Sequence, residues 1–220
     1  MELLLVRHAE PVRIEHAEGP ADPHLHERGV AQARHLAAWL ADEELLGIWA
    51  SPLCRARETA DAVALAHDLP VTIDEDLAEF DRDASFYIPV EEMKANRDPR
   101  LQALAEGRFE EFGTGDFEAF RTGVIQAMER IIAASLGGRV AVVCHGGVIN
   151  LYMAHILRLD RPIFFGPDYT SISRVLAART GERSVLSLNE AAHLRNTDLL
   201  PDRGVTAAGP LQSGPTAARG

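Results

Sequence analysis

Apolar residues recur along this chain in two rhythms. Short unbroken runs occur at Leu3 to Val6, Leu45 to Ala50, Pro70 to Ile73 and Arg139 to Cys144. They are too short for helices and rich in branched aliphatics, so they read as strands buried on both faces. Between them the period changes to that of a helix. Val30, Ala33, Leu36, Ala37 and Leu40 predict a helix over Glu27 to Ala41. A second is expected from about Arg55 to His67, with Ser51 as its N-cap and Pro52 in the first helical position. Phe117, Phe120, Val124, Met128 and Ile131 line one face of a long helix from about Asp116 to Ser135, and helix resumes from Val148 to about Leu157. Ser173 to Ala178 and Ser184 to Leu188 form a hairpin around Arg179 to Glu182. Strand alternating with helix predicts an α/β fold with a mostly parallel sheet, its carboxyl ends gathered on one edge.

Three stretches follow neither rhythm. Ala9 to His26, with Pro11, Gly19, Pro20 and Pro23, is a loop. From Phe80 to Gly115 aromatics mix with charges and no single period holds, the pattern of an irregular, partly helical segment that covers a site. Asp198 to Gly220 holds glycines, prolines and small residues, and reads as a flexible tail. The division expected is one domain over residues 1–197, with 80–115 as an inserted cover, and a tail over 198–220.

Composition narrows the functional classes. The chain has 220 residues, 46% of them hydrophobic and 25% charged, as in ordinary globular proteins. A net charge of −11 disfavours nucleic acid or an anionic membrane as the main partner. It leaves room for a small phosphorylated substrate, because a few converging arginines set the local potential. No apolar run reaches the ~20 residues of a membrane span, and no basic leader precedes the first strand. The two cysteines, Cys54 and Cys144, have no metal-ligand spacing and read as reduced packing residues of a cytoplasmic protein.

The strand ends carry the chemistry. Arg7-His8 closes the first strand, Ser51 to Arg55 follows the second, Glu79 follows the third and His145-Gly146 follows the fourth. Ligands of open α/β sheets bind at such ends. Arg55 in a first helical turn is electrostatically unfavourable unless an anion sits there. Two arginines and a glycine-rich helix N-terminus make a tetrahedral-oxyanion site. One histidine can attack phosphorus, the other can stabilise charge, and the carboxylate can protonate a leaving oxygen. These patterns alone leave open which histidine does which. Singly, each residue has a plainer explanation as a surface charge or strand cap; their joint placement is what points to a site.

Leu5-Val6-Arg7-His8-Ala9-Glu10 resembles the Arg-His-Gly signature of the histidine phosphatase superfamily, the phosphoglycerate-mutase-like proteins. Further motifs match in order. They are Leu25-His26-Glu27-Arg28-Gly29 with Gln32-Ala33, Ser51-Pro52-Leu53-Cys54-Arg55-Ala56 with Thr59-Ala60, Leu77-Ala78-Glu79, and Val143 to Gly147. Ser187-Leu188-Asn189 with His193-Leu194 resembles the closing segment. The resemblance implies a three-layer α/β/α sandwich and a metal-independent phosphatase without a cofactor. It makes His8 the nucleophile that becomes phosphohistidine, and Glu79 the general acid and then base. Arg7, Arg55 and His145, with the Gly146 amide, would hold the phosphoryl oxygens. Ala9 replaces the family's glycine. Pro11 and Ile14 stand where some members carry Thr and Asn near the phosphate, and neither side chain can donate a hydrogen bond. This weighs against a cofactor-dependent phosphoglycerate mutase. The motifs are also compatible with a protein-phosphohistidine phosphatase, or with a phosphate-binding regulatory module without turnover. Tyr87, Arg82, Arg97 and Arg100 are candidate substrate selectors in the cover; the remaining histidines, His26 and His193 among them, read as surface or packing residues. Neither the substrate nor the oligomeric state follows from these motifs.

Overall fold

Among the described residues, six strands form one sheet in the order β3-β2-β4-β1-β5-β6. They are β1 Glu2–Arg7, β2 Leu45–Ala50, β3 Val71–Ile73, β4 Arg139–Cys144, β5 Ile172–Ala177 and β6 Arg183–Glu190. The structure, a computed structural model, describes residues 1–106, 108–112, 115–135 and 137–200. The first four strands run parallel; β5 runs antiparallel to β1, and β6 antiparallel to β5. β4 thus inserts between β1 and β2, which are consecutive in the chain, and the strand order reverses there. Such a switch point is where α/β sheets open a crevice at their carboxyl ends.

Both faces of the sheet are covered, which explains the unbroken apolar runs. Side chains alternate across a strand. Leu3, Leu5, Val140 and Val142 therefore pack against α5 (Phe117–Ala134) and α6 (Gly146–Leu157). Leu4, Val6, Ala141 and Val143 pack against α1 (Glu27–Leu40) and α2 (Cys54–His67). The result is the expected three-layer sandwich. Leu3 to Val6 are wholly buried, and each such aliphatic side chain contributes about 1.5–3 kcal/mol of transfer free energy.

The helix starts are less uniform than the sequence implies. Asp116 caps α5 by accepting from the amides of Glu118 and Ala119. His26 caps α1, its Nδ1 accepting from the Arg28 amide at 3.2 Å, so it has a local structural task. Ser51 does not cap α2. That helix begins at Cys54 after Leu53, which gives no side-chain cap, and Pro52 lies ahead of the first turn. The Cys54 amide donates to Asp22 Oδ1, 2.8 Å away, so the cap comes from the long loop after β1.

The covering segment contains α3 (Val90–Ala95), α4 (Arg100–Glu106) and a 3₁₀ turn, Phe109–Phe112. It has its own small core of Met93, Ala103 and Phe112, against which Phe80, Ile88, Leu101 and Leu104 pack. Three short elements facing one small core account for the missing period. At the other end of the chain, Arg28 Nη2 donates to the carbonyls of Asp198 and Leu200, and Gln32 Nε2 to that of Leu199. The tail expected from 198 is therefore tied to α1 through residue 200; its remainder lies outside the described residues. Among the described residues no helix is long and apolar enough to cross a membrane.

Candidate active site

β1 delivers Arg7 and His8 to the carboxyl edge of the sheet and pins them there. The Arg7 amide donates to Ser171 O, and the His8 amide to Cys144 O at 2.9 Å, so neighbouring strands hold the dipeptide on both sides. His8 is buried, and its Nδ1 lies 2.7 Å from the carbonyl oxygen of Ala9. A carbonyl only accepts, so Nδ1 carries the hydrogen and Nε2 keeps its lone pair. Burial, with Arg55 and Arg7 nearby, holds the His8 pKa well below the usual histidine range. The imidazole is therefore neutral and nucleophilic at ordinary pH.

His145 enters from the end of β4, its ring centroid 5.0 Å from that of His8. Its Nε2 lies 2.7 Å from Ser51 Oγ, which also accepts from the Leu53 amide at 3.3 Å. Ser51 Oγ keeps a second lone pair and its own hydrogen, so it can accept from Nε2 or donate to it. His145 Nδ1 and Arg55 Nε are buried and have no hydrogen-bond partner among the described residues. Orphaned buried polar atoms are rare unless something is to be bound there.

Arg55 reaches the same place from the first turn of α2. It is 1% exposed, which is expensive for a charge unless paired. Asp81 Oδ1 accepts from its Nη2 at 3.1 Å, and its guanidinium lies 4.6 Å from the centroid of the Tyr87 ring. Arg7 is compensated the same way. Its guanidinium stacks 4.0 Å from the Tyr169 centroid and donates to Pro167 O and to Glu91 Oε1, both at 2.7 Å. Each arginine is thus tethered by one carboxylate of the cover. Arg7 in turn holds the Glu91 carboxyl down at about 2, against the upward push of burial.

Glu79 comes not from the end of β3 itself but from beyond the 3₁₀ turn Glu75–Leu77. Its Oε2 accepts from the Gly147 amide at 2.8 Å, and Oε1 from the Phe80 amide at 3.1 Å. Burial, reinforced by Asp81, pushes its pKa up to about 7 despite those amides and Arg55. A Cβ on Gly147 would stand 2.3 Å from Glu79 Oε1, so only glycine admits the carboxylate there. Gly146 opens α6, where helical amides lack internal partners.

Arg7, His8, Arg55, Glu79 and Gly146 line one cleft, with a cavity of about 130 Å³. His145 lies behind it against His8. Tyr87 lines the cleft as well, whereas Arg82 pairs with Glu75, Arg100 with Asp98, and Arg97 is exposed. The two departures from the family motif have structural roles. Pro11 bridges to Leu25, and Ile14 exchanges backbone hydrogen bonds with Tyr87 at 3.0 and 2.7 Å. Ile14 supplies no side-chain donor but anchors the ring beneath Arg55.

The sequence model of the histidine phosphatase superfamily (branch 1) matches residues 3–191. The chain belongs to that superfamily. A curated relative, phosphoserine phosphatase 1 of Hydrogenobacter thermophilus, is 31% identical over 88% of this chain and 94% of its own length. An uncharacterized protein of Mycobacterium tuberculosis is 45% identical over 34% of this chain, and the match spans only 38% of that relative. Among solved structures, the H9A variant of phosphoserine phosphatase from Entamoeba histolytica superposes with a TM-score of 0.66 at 24% identity, covering 88% of this chain and 98% of that one. A phosphoglycerate mutase from Bacillus anthracis gives 0.68 at 22%, covering 88% and 95%. These structural likenesses show the shared phosphoglycerate-mutase-like fold, which this chain has in its sheet order and helical layers.

Some contributors have no legible signal in the sequence. Glu91 is one acid in a charged stretch, and Tyr169 lies in an unpatterned loop. Asn150 does carry one, as a lone amide inside the apolar run Val148 to Met153. Its Oδ1 accepts from the amides of Phe164 and Phe165, and its Nδ2 donates to Gly146 O and Phe165 O. It fastens the loop that offers Pro167 O to Arg7.

Proposed function

We propose that this histidine phosphatase hydrolyses phosphomonoesters through a phosphoryl group carried on His8. The observation that supports this most is the His8 ring itself. It is neutral, fixed in tautomer by Ala9 O and set between two buried arginines. The Nε2 lone pair forms the P–N bond as the ester P–O bond breaks, and protonated Glu79 gives its proton to the leaving oxygen. Water then attacks phosphorus, Glu79 takes its proton, the P–N bond breaks and inorganic phosphate leaves. Arg7, Arg55, His145 and the Gly146 amide offset the charge on the equatorial oxygens. Phosphatase activity agrees with the Hydrogenobacter relative's name. A mutase reading is disfavoured because Pro11 and Ile14 add no side-chain donors to retain a bisphosphate.

Acid quenching destroys phosphohistidine, so turnover with a ³²P-labelled monoester is to be stopped in alkali. A base-stable, acid-labile label should appear on His8. His8→Ala should abolish both label and hydrolysis; near-normal activity in that variant would overturn the assignment. Because the charge is carried by arginines, hydrolysis should survive EDTA. Loss restored by Mg²⁺ would refute the charge-compensation scheme.

A further inference from the structure

We propose that this site selects phosphomonoesters whose alcohol is apolar and uncharged, an alkyl or aryl group, over phosphorylated acids and sugars. The inference rests on the phosphatase reading and concerns the part of the cleft that the phosphoryl group does not use.

Beyond His8, Glu79 and the two arginines with their carboxylate partners, most of the wall is hydrocarbon, the polar exceptions being Tyr87, Lys94 and Asn150. Phe86, Ile88, Met93, Leu104 and Phe112 line it from the covering segment, and Phe165 from the loop after α6. Phe112 and Met93 belong to the cover's own small core, so this wall is backed by packed side chains. Phe80 meets the Phe112 ring edge-on at 5.6 Å, which fixes the plane of another lining aromatic. A leaving group with hydroxyls would lose hydration against these surfaces without recovering hydrogen bonds. A hydrocarbon leaving group is favoured by the same surfaces.

Charge points the same way. Among the described lining residues the cations are Arg7, Arg55 and Lys94, and the anions are Glu79, Asp81 and Glu91. The arginines are the natural partners of the phosphoryl oxygens. A second anionic group, such as the carboxylate of a phosphorylated acid, would share the cleft with Asp81 and Glu91, which repel it. Lys94 is the remaining cation, and it is exposed, its Nζ near Gly166. It is a hydrated mouth residue with no fork to clamp a carboxylate.

The test is kcat/KM across ethyl, butyl and hexyl phosphate and phenyl phosphate, set beside phosphoserine, 3-phosphoglycerate and glucose 6-phosphate. Full burial of a methylene corresponds to roughly a fourfold gain. A rise of at least twofold per methylene from ethyl to hexyl, with hexyl or phenyl exceeding every charged or polyol substrate by about a hundredfold or more, supports the proposal. A flat alkyl series, or preference for phosphoserine, 3-phosphoglycerate or the sugar phosphate, overturns it and leaves the phosphatase reading standing. Phe86→Ala should reduce the hexyl-to-ethyl ratio at least threefold, a ratio that loss of folded protein does not alter; an unchanged ratio counts against this wall. Calorimetry with ethyl-, butyl- and hexylphosphonate covers the case of no hydrolysis at all. Tightening with chain length keeps the apolar wall while the phosphatase reading fails, and equal affinities refute the wall as well.

Discussion

A carboxyl that gives a proton in one half-reaction and takes one in the next works best with a pKa near its operating pH. Burial brings Glu79 to about 7. The sign of the pH dependence follows. Glu79 is protonated below about 7 and loses that proton above it, so kcat/KM for an alkyl phosphate should fall as pH rises past about 7. His8, held well below its usual range, stays neutral far to the acid side. Glu79→Gln should remove the alkaline limb. The cost should be about 10²- to 10⁴-fold on alkyl phosphates, and much smaller on p-nitrophenyl phosphate, whose departing phenolate needs no proton. Equal losses on both substrates would show that Glu79 is not the acid. Gly147→Ala tests the same carboxylate from its other side. The added methyl would collide with Oε1, so Gly147→Ala should lower kcat toward the Glu79→Gln level while leaving the ³²P label on His8 detectable. At this scale Arg7, His8 and His145 are legible in the sequence because buried strands lead straight to them, and Arg55 because a cation in a first helical turn is out of place without an anion. Ser51 misleads, since its local pattern matches a cap while its hydroxyl serves a histidine 94 positions away.

The elements differ in how they hold the site. β1 and β4 are buried and paired along their length, whereas α3 and the loop after α6 reach Arg7 through single groups, Glu91 and Pro167 O. Asn150 is the positioning residue of that loop. Asn150→Ala would leave the Phe164 and Phe165 amides without their acceptor, at a cost of about 1–3 kcal/mol for each buried group so orphaned. The expected result is a melting temperature lower by several degrees and a KM raised more than kcat is reduced. Unchanged KM would mean that the loop does not help place Arg7. The helices of the cover are hidden in the sequence for a physical reason. α3 and α4 bury single faces against a three-residue core, too short a stretch for a period to show. The long helix α5 is plain because five apolar positions repeat on one face.

For the whole molecule, the layered α/β architecture follows from the alternation of runs and helical faces, while the antiparallel flank of β5 and β6 follows from the hairpin spacing. The attachment of residues 198–200 to α1 has no such pattern, because it runs through backbone carbonyls that carry no sequence signature. Truncation should therefore depend on where it is made. The melting temperature of the protein cut after residue 200 serves as the reference. Removing 198–220 deletes three acceptors of Arg28 and Gln32, each worth about 0.5–1.5 kcal/mol, and should lower it by several degrees, at about 2–4 °C per kcal/mol. Equal melting temperatures for the two truncations would show that the contacts with α1 contribute nothing. The sheet order has a further consequence, in time. The strand that leads to His8 precedes the other five in the chain, yet it pairs with Arg139–Cys144 and Ile172–Ala177. At a synthesis rate of about 5–20 residues per second, the Leu3 to Val6 segment waits on the order of ten seconds for its first neighbour. A nascent chain thus carries this apolar segment unpaired for that interval, the condition under which chaperones bind and aggregation competes with folding.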